Sequence, residues 1–398
     1  MTAHLASPRY VYVKNGDAVA QVSQVIGDNF PSTTSGPNAF IFDFLSRNRD
    51  SEILVVSRSD REVSYRSGKI GAEVFRDGQR AAEKAIRRTI NFFRLLSLLV
   101  SKRPDRVICG CTGSQLLAVT IYGFIFRVPF IHSRHNRLAE DGESILRRMR
   151  TWVESVCMRR ARAVICHGPY LAEQLKDLGI GPERIIDFDV SFEDLVQADG
   201  NSGAPGESTM AEPGDRRDIV FLGRLVVEKG VHELLAACEP LLRQDARLSL
   251  KYAGDGPDAT KLQDEIRARG LDKQVLLLGR ISRPEIVELL RRAYLVVTPT
   301  RSGFPEGRCM SAMEGMVFGV PVVAPNCGPF PFIVKHMLNG LLYTPDSVED
   351  LRHSIHLLLD DQKIHSDLSV GALEFGKTIS QTNRTFGEAV DRGFIAGH

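Results

Sequence analysis

The chain has 398 residues, a formal net charge of +2 and 43% hydrophobic residues, so its composition predicts two domains that each bury a core. A charge balance this close to neutral argues against bulk binding of nucleic acid. The 7 cysteines are scattered and form no C-x-x-C pair, which indicates a reducing compartment and argues against a structural zinc site.

Membrane-crossing segments are not predicted. The stretch Met1–Tyr10 lacks the apolar core of a secretory signal, and the longest apolar run, Leu116–Phe126, is too short to span a bilayer. We therefore expect a cytoplasmic protein. Its basic side chains could also bring it into peripheral contact with the inner face of an anionic membrane.

The chain begins with a predicted strand, loop and helix. Val19–Ile26 is rich in β-branched residues and is predicted as the first strand, and Asn38–Arg47 as the first helix. The intervening loop contains Gly36 after two threonines and a serine. A Ser/Gly loop ahead of a helix start is a usual place to seat phosphate, and the alternative is a simple connecting turn.

A long basic helix follows two predicted strands, Ile53–Ser57 and Ala72–Phe75. The helix, Gln79–Ser101, is expected to pack on a parallel sheet as a crossover, or alternatively to lay a basic amphipathic face on anionic lipid. Its cations and those beyond it form two clusters: Arg76, Arg80, Lys84, Arg87, Arg88, Arg94, Lys102, Arg103 and Arg106, then Arg147, Arg148, Arg150, Arg159, Arg160 and Arg162.

Polar side chains end a strand in the N-terminal half. Pro129–Asn136 is predicted as a strand that finishes in His132, Arg134 and His135. Because ligands of open α/β sheets bind outside the carboxyl ends of strands, these side chains are placed where chemistry is expected. One histidine could instead be structural. The other predicted elements of this half are Arg106–Cys109, Gly113–Phe126, Ala163–His167 and Glu183–Val190.

A segment rich in Gly, Ser and Pro, from Asp199 to Asp215, marks the clearest domain boundary. We predict an N-terminal acceptor-binding domain over 1–197, a flexible linker over 198–216, and a C-terminal nucleotide-sugar donor domain over 217–378. The last stretch, 379–398, is predicted to be a helix that returns to the N-terminal domain.

Strands and helices alternate again after this linker. Strand ends in this half are followed by Gly plus a cation: Gly223 with Arg224 and Lys229, and Gly279 with Arg280. Two cations at one strand end suit a diphosphate. The predicted elements are strands Asp218–Leu222, Leu248–Ala253, Val275–Leu278, Leu295–Thr298 and Val322–Val323, and helices over 231–243, 257–269, 284–292, 308–318 and 351–359.

Two glutamates organise the last motif. Glu306 is expected beside the start of the helix Arg308–Phe318, with Glu314 about two turns along on roughly the same face, about 10 Å away. The glycines and proline around Glu306, namely Gly303, Pro305 and Gly307, let backbone approach a ligand, and a helix start favours an anion. The motif suits a phosphorylated polyol, although a pair of solvated glutamates is the alternative.

These stretches together resemble the retaining GT-B glycosyltransferases of family four, whose fold is two Rossmann-like α/β domains facing each other across a cleft. The match over 218–360 is specific, and the match of the N-terminal half is looser. The matching elements are Gly223-Arg224, Glu228-Lys229-Gly230, Gly254-Asp255-Gly256-Pro257, Gly279, Glu306-Gly307, Glu314, Gly319-x-Pro321-Val322-Val323 and Asn339-Gly340-Leu341-Leu342.

The resemblance implies a role for each matching residue. Arg224 and Lys229 would hold the donor diphosphate, Glu314 the ribose hydroxyls, Glu306 the donor sugar, and His135 would close over that sugar. The other implied donor contacts are Gly223, Gly36, Gly279, Arg280, Ile281, Gly303, Phe304, Pro305 and Gly307. Two departures are Arg308, where the family carries an apolar side chain, and Phe332, where it carries a carboxylate.

The resemblance implies a hexosyl-type transferase that needs neither cofactor nor metal, and that moves a sugar from a nucleotide-sugar to a glycan or lipid-linked acceptor in bacterial surface polysaccharide or lipopolysaccharide synthesis. The one Asp-x-Asp, Asp187 and Asp189, lacks a supporting ligand cluster. Two alternatives stay open. A nucleotide-sugar epimerase of this fold would need no acceptor, and a binding protein would carry out no reaction.

Overall fold

The computed structural model describes residues 7–15, 17–26, 37–78, 81–135, 145–190, 192, 195, 217–304, 306–380 and 384–395. The chain divides into two compact units. The N-terminal unit holds Met1–Val190 together with Arg384–His398, and the C-terminal unit holds Ser191–Asn383. Among the described residues, no helix is both long and apolar enough to cross a membrane.

Eight strands form the sheet of the N-terminal unit within its described residues, in the order β3-β4-β2-β1-β5-β6-β7-β8. All neighbours pair in parallel except β3 and β4, which form an antiparallel hairpin. The strands are β1 (Arg9–Val13), β2 (Glu52–Ser59), β3 (Val63–Ser67), β4 (Ile70–Arg76), β5 (Arg106–Cys109), β6 (Phe130–Arg134), β7 (Ala163–His167) and β8 (Ile185–Phe188).

Helices cover both faces of this sheet, as parallel strands buried on both sides require. They are α1 (Ala18–Ile26), α2 (Pro37–Arg47), α3 (Ala81–Lys102), α4 (Ser114–Phe126), α5 (Ile145–Arg160) and α6 (Pro169–Asp177), with a 3-10 turn at Pro182–Arg184. Side chains of α3 to α6 belong to one core, whereas α1 and α2 share the other core with the final helix of the chain, Phe386–Ile395.

The prediction of a first strand over Val19–Ile26 is wrong. Those residues form α1, and the first strand is Arg9–Val13. Asp17 caps the helix by accepting the backbone N–H of Ala20 at 3.0 Å, and Ala18 and Val22 face the core. The helical spacing of the apolar residues and this cap outweigh the β preference of the valines.

Six parallel strands form the sheet of the C-terminal unit within its described residues, in the order β11-β10-β9-β12-β13-β14. The strands are β9 (Arg217–Leu222), β10 (Leu248–Ala253), β11 (Val275–Gly279), β12 (Ala293–Val297), β13 (Val322–Pro325) and β14 (Gly340–Tyr343). Five of these strands were predicted, and β14 was not.

The helices of this unit again pack on both faces of its sheet, in two cores. They are α7 (Val231–Gln244), α8 (Ala259–Ala268), α9 (Arg283–Arg291), α10 (Met310–Val317), α11 (Phe330–Ile333), α12 (Val348–Asp360) and α13 (Gln362–Ser380), with a 3-10 turn at Val227–Lys229. The last helix within the described residues is α14 (Phe386–Ile395), which packs on α2 in the N-terminal unit. The prediction of two Rossmann-like α/β domains is confirmed.

Candidate functional site

Glycines shape the carboxyl edge of the C-terminal sheet. Gly223 follows β9 and Gly254 follows β10, and a Cβ on Gly254 would lie only 1.8 Å from the carbonyl oxygen of Gly223. Both residues have positive φ, 154° and 148°. Only glycine allows these two neighbouring loops to touch, and they do so at the edge where ligands of open α/β sheets bind.

Lys229 and Glu306 form an ion pair at this edge. The Lys229 ammonium donates to the Glu306 carboxylate, and the two side chains are 19% and 14% exposed. The ammonium also lies 4.8 Å from the centre of the Phe304 ring. Lys229 is placed by the 3-10 turn after β9 and Glu306 by the loop after β12, so residues far apart in sequence meet at neighbouring strand ends.

Glu314 forms a second, more buried pair with Arg283. One Arg283 nitrogen lies 2.6 Å from a Glu314 oxygen, and the side chains are 8% and 12% exposed. Arg283 is the first residue of α9, whose start is fixed by a capping box between Ser282 and Glu285. Arg283 was not among the residues predicted from the sequence, although the Ser282 and Glu285 capping signal places it at a helix start soon after β11.

Helix α10 begins at Met310, two residues after the expected start near Arg308, so Glu306 precedes the helix by one turn. Arg308 lies half-buried with its Nε 3.1 Å from the Met313 sulfur, and Cys309 occupies the N-cap position. Glu314 nevertheless lies in the second turn of the helix. Glu306 therefore lies in the loop before the helix, and Glu314 lies on the helix itself.

The other predicted donor contacts differ in their exposure. Arg224, Arg280 and Gly303 are exposed, Ile281 is partly buried, and Gly307 is buried. Neither Arg224 nor Arg280 has an ion-pair partner among the residues that the structure describes. Two predicted contacts, Gly36 and Pro305, lie outside the described residues.

His135 follows β6 in the N-terminal unit. Its Nε2 lies 2.9 Å from the Ser133 hydroxyl, and its ring stacks on Phe40 at 5.2 Å and 9°. Burial, with Lys14 and Arg134 nearby, lowers the pKa of His135 to about 4. The imidazole is therefore neutral near pH 7.

The neighbours of His135 have structural contacts. His132 is completely buried, and its burial lowers its pKa to about 3. Arg134 forms a buried ion pair with Glu154 at 3.0 Å. Of the three polar residues predicted at this strand end, His135 is thus the one with a partly exposed side chain.

The Asp-x-Asp carboxylates bind an arginine. Arg384, which precedes α14, donates to both Asp187 and Asp189, the first contact being 2.9 Å long. Among the described residues, no group of three or more His, Cys, Asp and Glu side chains is placed to hold a metal ion. The motif therefore ties the C-terminal segment to the N-terminal sheet.

Both halves of the chain match family models. Residues 208–374 match the model described as glycosyl transferases group 1. Residues 46–186 match the model described as a glycosyl transferase 4-like domain. Taken together, the two matches support a family of glycosyltransferases like family four.

This chain matches curated relatives over part of their length. It is 32% identical over 167 residues to an uncharacterized glycosyltransferase of Methanocaldococcus jannaschii, a match that covers 42% of this chain and 45% of the relative. It is 30% identical over 177 residues to the lipopolysaccharide 1,6-galactosyltransferase of Salmonella typhimurium, with 42% and 47% covered. The chain spans about half the length of these two relatives.

Solved structures establish the fold of this chain. A crystal structure of Anabaena HepE in complex with UDP is similar with a TM-score of 0.66 and 18% identity, covering 98% of this chain and 100% of that chain. The sucrose-phosphate synthase of Thermosynechococcus elongatus is similar with a TM-score of 0.67 and 16% identity, covering 97% and 98%. The fold is GT-B.

Proposed function

We propose that this protein is a retaining glycosyltransferase that moves a hexosyl group from a nucleotide-sugar to a glycan or lipid-linked acceptor. The observation that carries the proposal is the Lys229–Glu306 pair, one cation and one carboxylate brought together at the strand ends of the C-terminal unit. The exposed Arg224 lies on the same loop as Lys229. Such a set offers positive charge to a diphosphate and a carboxylate to sugar hydroxyls.

The donor would contact both ion pairs, Lys229–Glu306 and Arg283–Glu314. Glu314, held by Arg283 at 2.6 Å, is suited to accept hydrogen bonds from the two ribose hydroxyls. Glu306 is suited to orient the sugar hydroxyls, and Lys229 would exchange part of its contact with Glu306 for the phosphate oxygens. Gly223, Gly279 and Gly303 would allow backbone N–H groups near the ligand, with Arg280 and Ile281 beside the base.

Transfer would proceed by departure of the nucleoside diphosphate from the anomeric carbon. The bond between that carbon and the phosphate oxygen breaks, and its electron pair leaves with the phosphate, where Arg224 and Lys229 stabilise the charge. The acceptor hydroxyl attacks from the side that the phosphate leaves and gives its proton to a phosphate oxygen, so the configuration is retained. His135, neutral at pH 7, would hydrogen-bond the sugar without adding charge.

The acceptor class that we propose is supported by one relative and by the charge of the chain. One relative is a lipopolysaccharide galactosyltransferase, and the basic N-terminal half suits an anionic or lipid-linked acceptor. We place the reaction in bacterial surface polysaccharide synthesis, in the cytoplasm at the inner face of the membrane. Because cations of the chain neutralise the leaving group, we expect no need for a metal ion or another cofactor.

A thermal-shift panel of nucleotide-sugars and nucleoside diphosphates, run with EDTA, tests the donor class. A ligand of the native state raises the melting temperature by mass action, so we expect one nucleoside diphosphate and its sugars to stabilise the protein. The donor so identified is then incubated alone and with acceptor. Conversion of the donor to its epimer would support an epimerase, and absence of any shift across the panel would contradict the proposal.

A further inference from the structure

Three helices of the N-terminal unit form one layer on the same side of the sheet. Helices α3, α4 and α5 contact one another in that order and bury side chains such as Leu99, Leu116 and Met158 in a single core. Their remaining side chains therefore face away from the sheet. We call this outer surface the three-helix face.

The three-helix face exposes large apolar side chains. On α5 they recur at helical spacing, and on α4 they gather at the end of the helix. Single exposed apolar residues are normal, but this many on three adjacent helices mark an interaction surface. They are Ile86 at 63%, Ile90 at 41%, Phe93 at 62%, Phe124 at 69%, Ile125 at 63%, Phe126 at 50%, Met149 at 60%, Trp152 at 65%, Val153 at 38% and Val156 at 37% exposed.

The polar side chains of this face are predominantly cationic. In the described part of the three helices, carboxylates are limited to Glu83 and Glu154, and Glu154 is buried against Arg134. The exposed cations that have no ion-pair partner among the described residues are Lys84, Arg88, Lys102, Arg148, Arg159 and Arg160. An apolar protein partner would gain nothing from this charge, whereas an anionic surface would.

A cationic cavity opens beside the most exposed aromatic ring. It has a volume of about 400 Å³, and its lining includes Phe124, Arg127, Arg160 and Arg162. The Arg160 guanidinium lies 5.3 Å from the centre of the Phe124 ring, which joins the ends of α4 and α5. The cavity combines several guanidinium groups with an apolar edge, as the headgroup and upper acyl chain of an anionic lipid require.

We propose that the three-helix face docks on an anionic phospholipid bilayer, with Phe93, Phe124 and Trp152 entering the interface and the Arg127–Arg160 cavity binding a lipid phosphate. Amphipathic surfaces with aromatic residues on one side and Lys or Arg around them bind membranes in this way. From the sequence, membrane contact was only the alternative for α3, which was expected to pack on the sheet as a crossover. In the structure Leu95 and Leu99 of α3 are buried, so the surface depends equally on α4 and α5.

This inference concerns attachment and is independent of the transfer reaction, because lipid binding needs neither a donor nor an acceptor. Its test uses Trp152, the single tryptophan of the chain, which is therefore the source of all its tryptophan emission. The full-length protein is titrated with vesicles of phosphatidylcholine containing phosphatidylglycerol, and in parallel with vesicles of phosphatidylcholine alone.

We expect the Trp152 emission to move to shorter wavelength with the anionic vesicles and to stay unchanged with the neutral ones. Since each cation near an anionic surface contributes about 1 kcal/mol, R127Q/R160Q should bind about thirtyfold more weakly. F93S/F124S should lose the emission shift. The matched controls change exposed residues of the C-terminal unit: R267Q on α8 and V370S on α13 should bind as the wild type does.

Circular dichroism of each variant shows whether it is folded, and all changed side chains are exposed. Equal vesicle binding by R127Q/R160Q and R267Q would overturn the proposal. So would the absence of an emission shift in the wild type with anionic vesicles. The proposal would also be overturned if the wild type bound no vesicles and sedimented as a dimer that F93S/F124S dissociates. That result would favour contact between two copies of the chain.

Discussion

Arg283 holds Glu314 through a 2.6 Å contact between two side chains that are almost entirely buried, although 31 residues separate them in sequence. The pair joins the start of α9 to the second turn of α10. Both helices follow strands whose carboxyl ends border the candidate donor site. Glu314 is therefore oriented before any ligand binds.

The Arg283–Glu314 pair predicts a measurable loss of stability. Arg283→Met leaves a buried carboxylate without this partner, and breaking a buried pair in this way costs about 3 kcal/mol. Denaturant unfolding of R283M, E314Q and the double variant should show that the double variant loses less than the sum of the single losses. The control is Arg292→Met, at the exposed end of α9, where 72% of the arginine side chain is exposed and a surface pair with Glu288 contributes about 1 kcal/mol or less. Strictly additive losses would show that the pair is not coupled.

The cations of the β9 loop should act on the phosphates alone. Charge-assisted hydrogen bonds contribute about 1.5 to 3 kcal/mol, so Lys229→Gln should weaken binding of a nucleoside diphosphate about tenfold to a hundredfold. Arg224→Gln, at an exposed site, should weaken it less. Titration calorimetry with the matching nucleoside should show unchanged affinity for both variants. The control is Lys261→Gln on α8, and equal losses for nucleoside and diphosphate would contradict the assignment.

Substitution by alanine should affect stability differently at two glycines near the site. Gly230 has a φ of 71°, and a Cβ there would lie 1.9 Å from the Pro299 carbonyl oxygen, so Gly230→Ala should destabilise the protein by about 2 kcal/mol or more. Gly303 has open space around it, so Gly303→Ala should leave the melting temperature unchanged. If a donor passes close to Gly303, the same variant should bind it more weakly. Equal melting temperatures for both variants would contradict the packing described.

Stability of the N-terminal unit should fall in mild acid. Burial lowers the pKa of His135 to about 4, whereas a histidine in the unfolded chain titrates near about 6.5. The unfolded state therefore binds a proton first, and the stability contributed by the neutral imidazole is complete above about pH 6.5 and is lost as the pH falls toward 4. Urea unfolding across this range should show that the free energy of unfolding depends less steeply on pH for His135→Gln than for the wild type. His356→Gln, at an exposed site of the other unit, should keep the wild-type slope.

Much of the fold was predictable because most strands are continuous apolar runs punctuated by glycine. Errors arose where local patterns were ambiguous. The short β3 strand alternates exposed and partly buried residues and carries no apolar run, and α5 carries so many arginines that its helical spacing was hidden. Residues 19–26 were predicted as a strand because β-branched composition was weighed above spacing and the Asp17 cap.

The residues of the site were easier to predict from the sequence than the ion pairs that they form. Glu306, Glu314 and Lys229 were singled out from motifs, but no spacing in sequence can show that Lys229 binds Glu306 or that Arg283 binds Glu314. Such pairs form because crossover connections bring distant loops to one sheet edge. The role of Arg384 in binding Asp187 and Asp189 was hidden for the same reason, since the partners are 197 and 195 positions apart in sequence.

The most direct test of the account is transfer by Glu306→Gln. With the donor found by thermal shift and a matching acceptor, release of nucleoside diphosphate and formation of product are followed for the wild type, E306Q and the exposed neighbour variant Glu228→Gln. We expect E306Q to fold and to bind nucleoside diphosphate but to lose transfer. The rate of transfer should fall by about a hundredfold or more, because removing a group that stabilises the transition state has an effect of this size. E228Q should remain active, and the product should keep the anomeric configuration of the donor. Transfer by E306Q at a nearly normal rate, or an inverted product, would contradict the account.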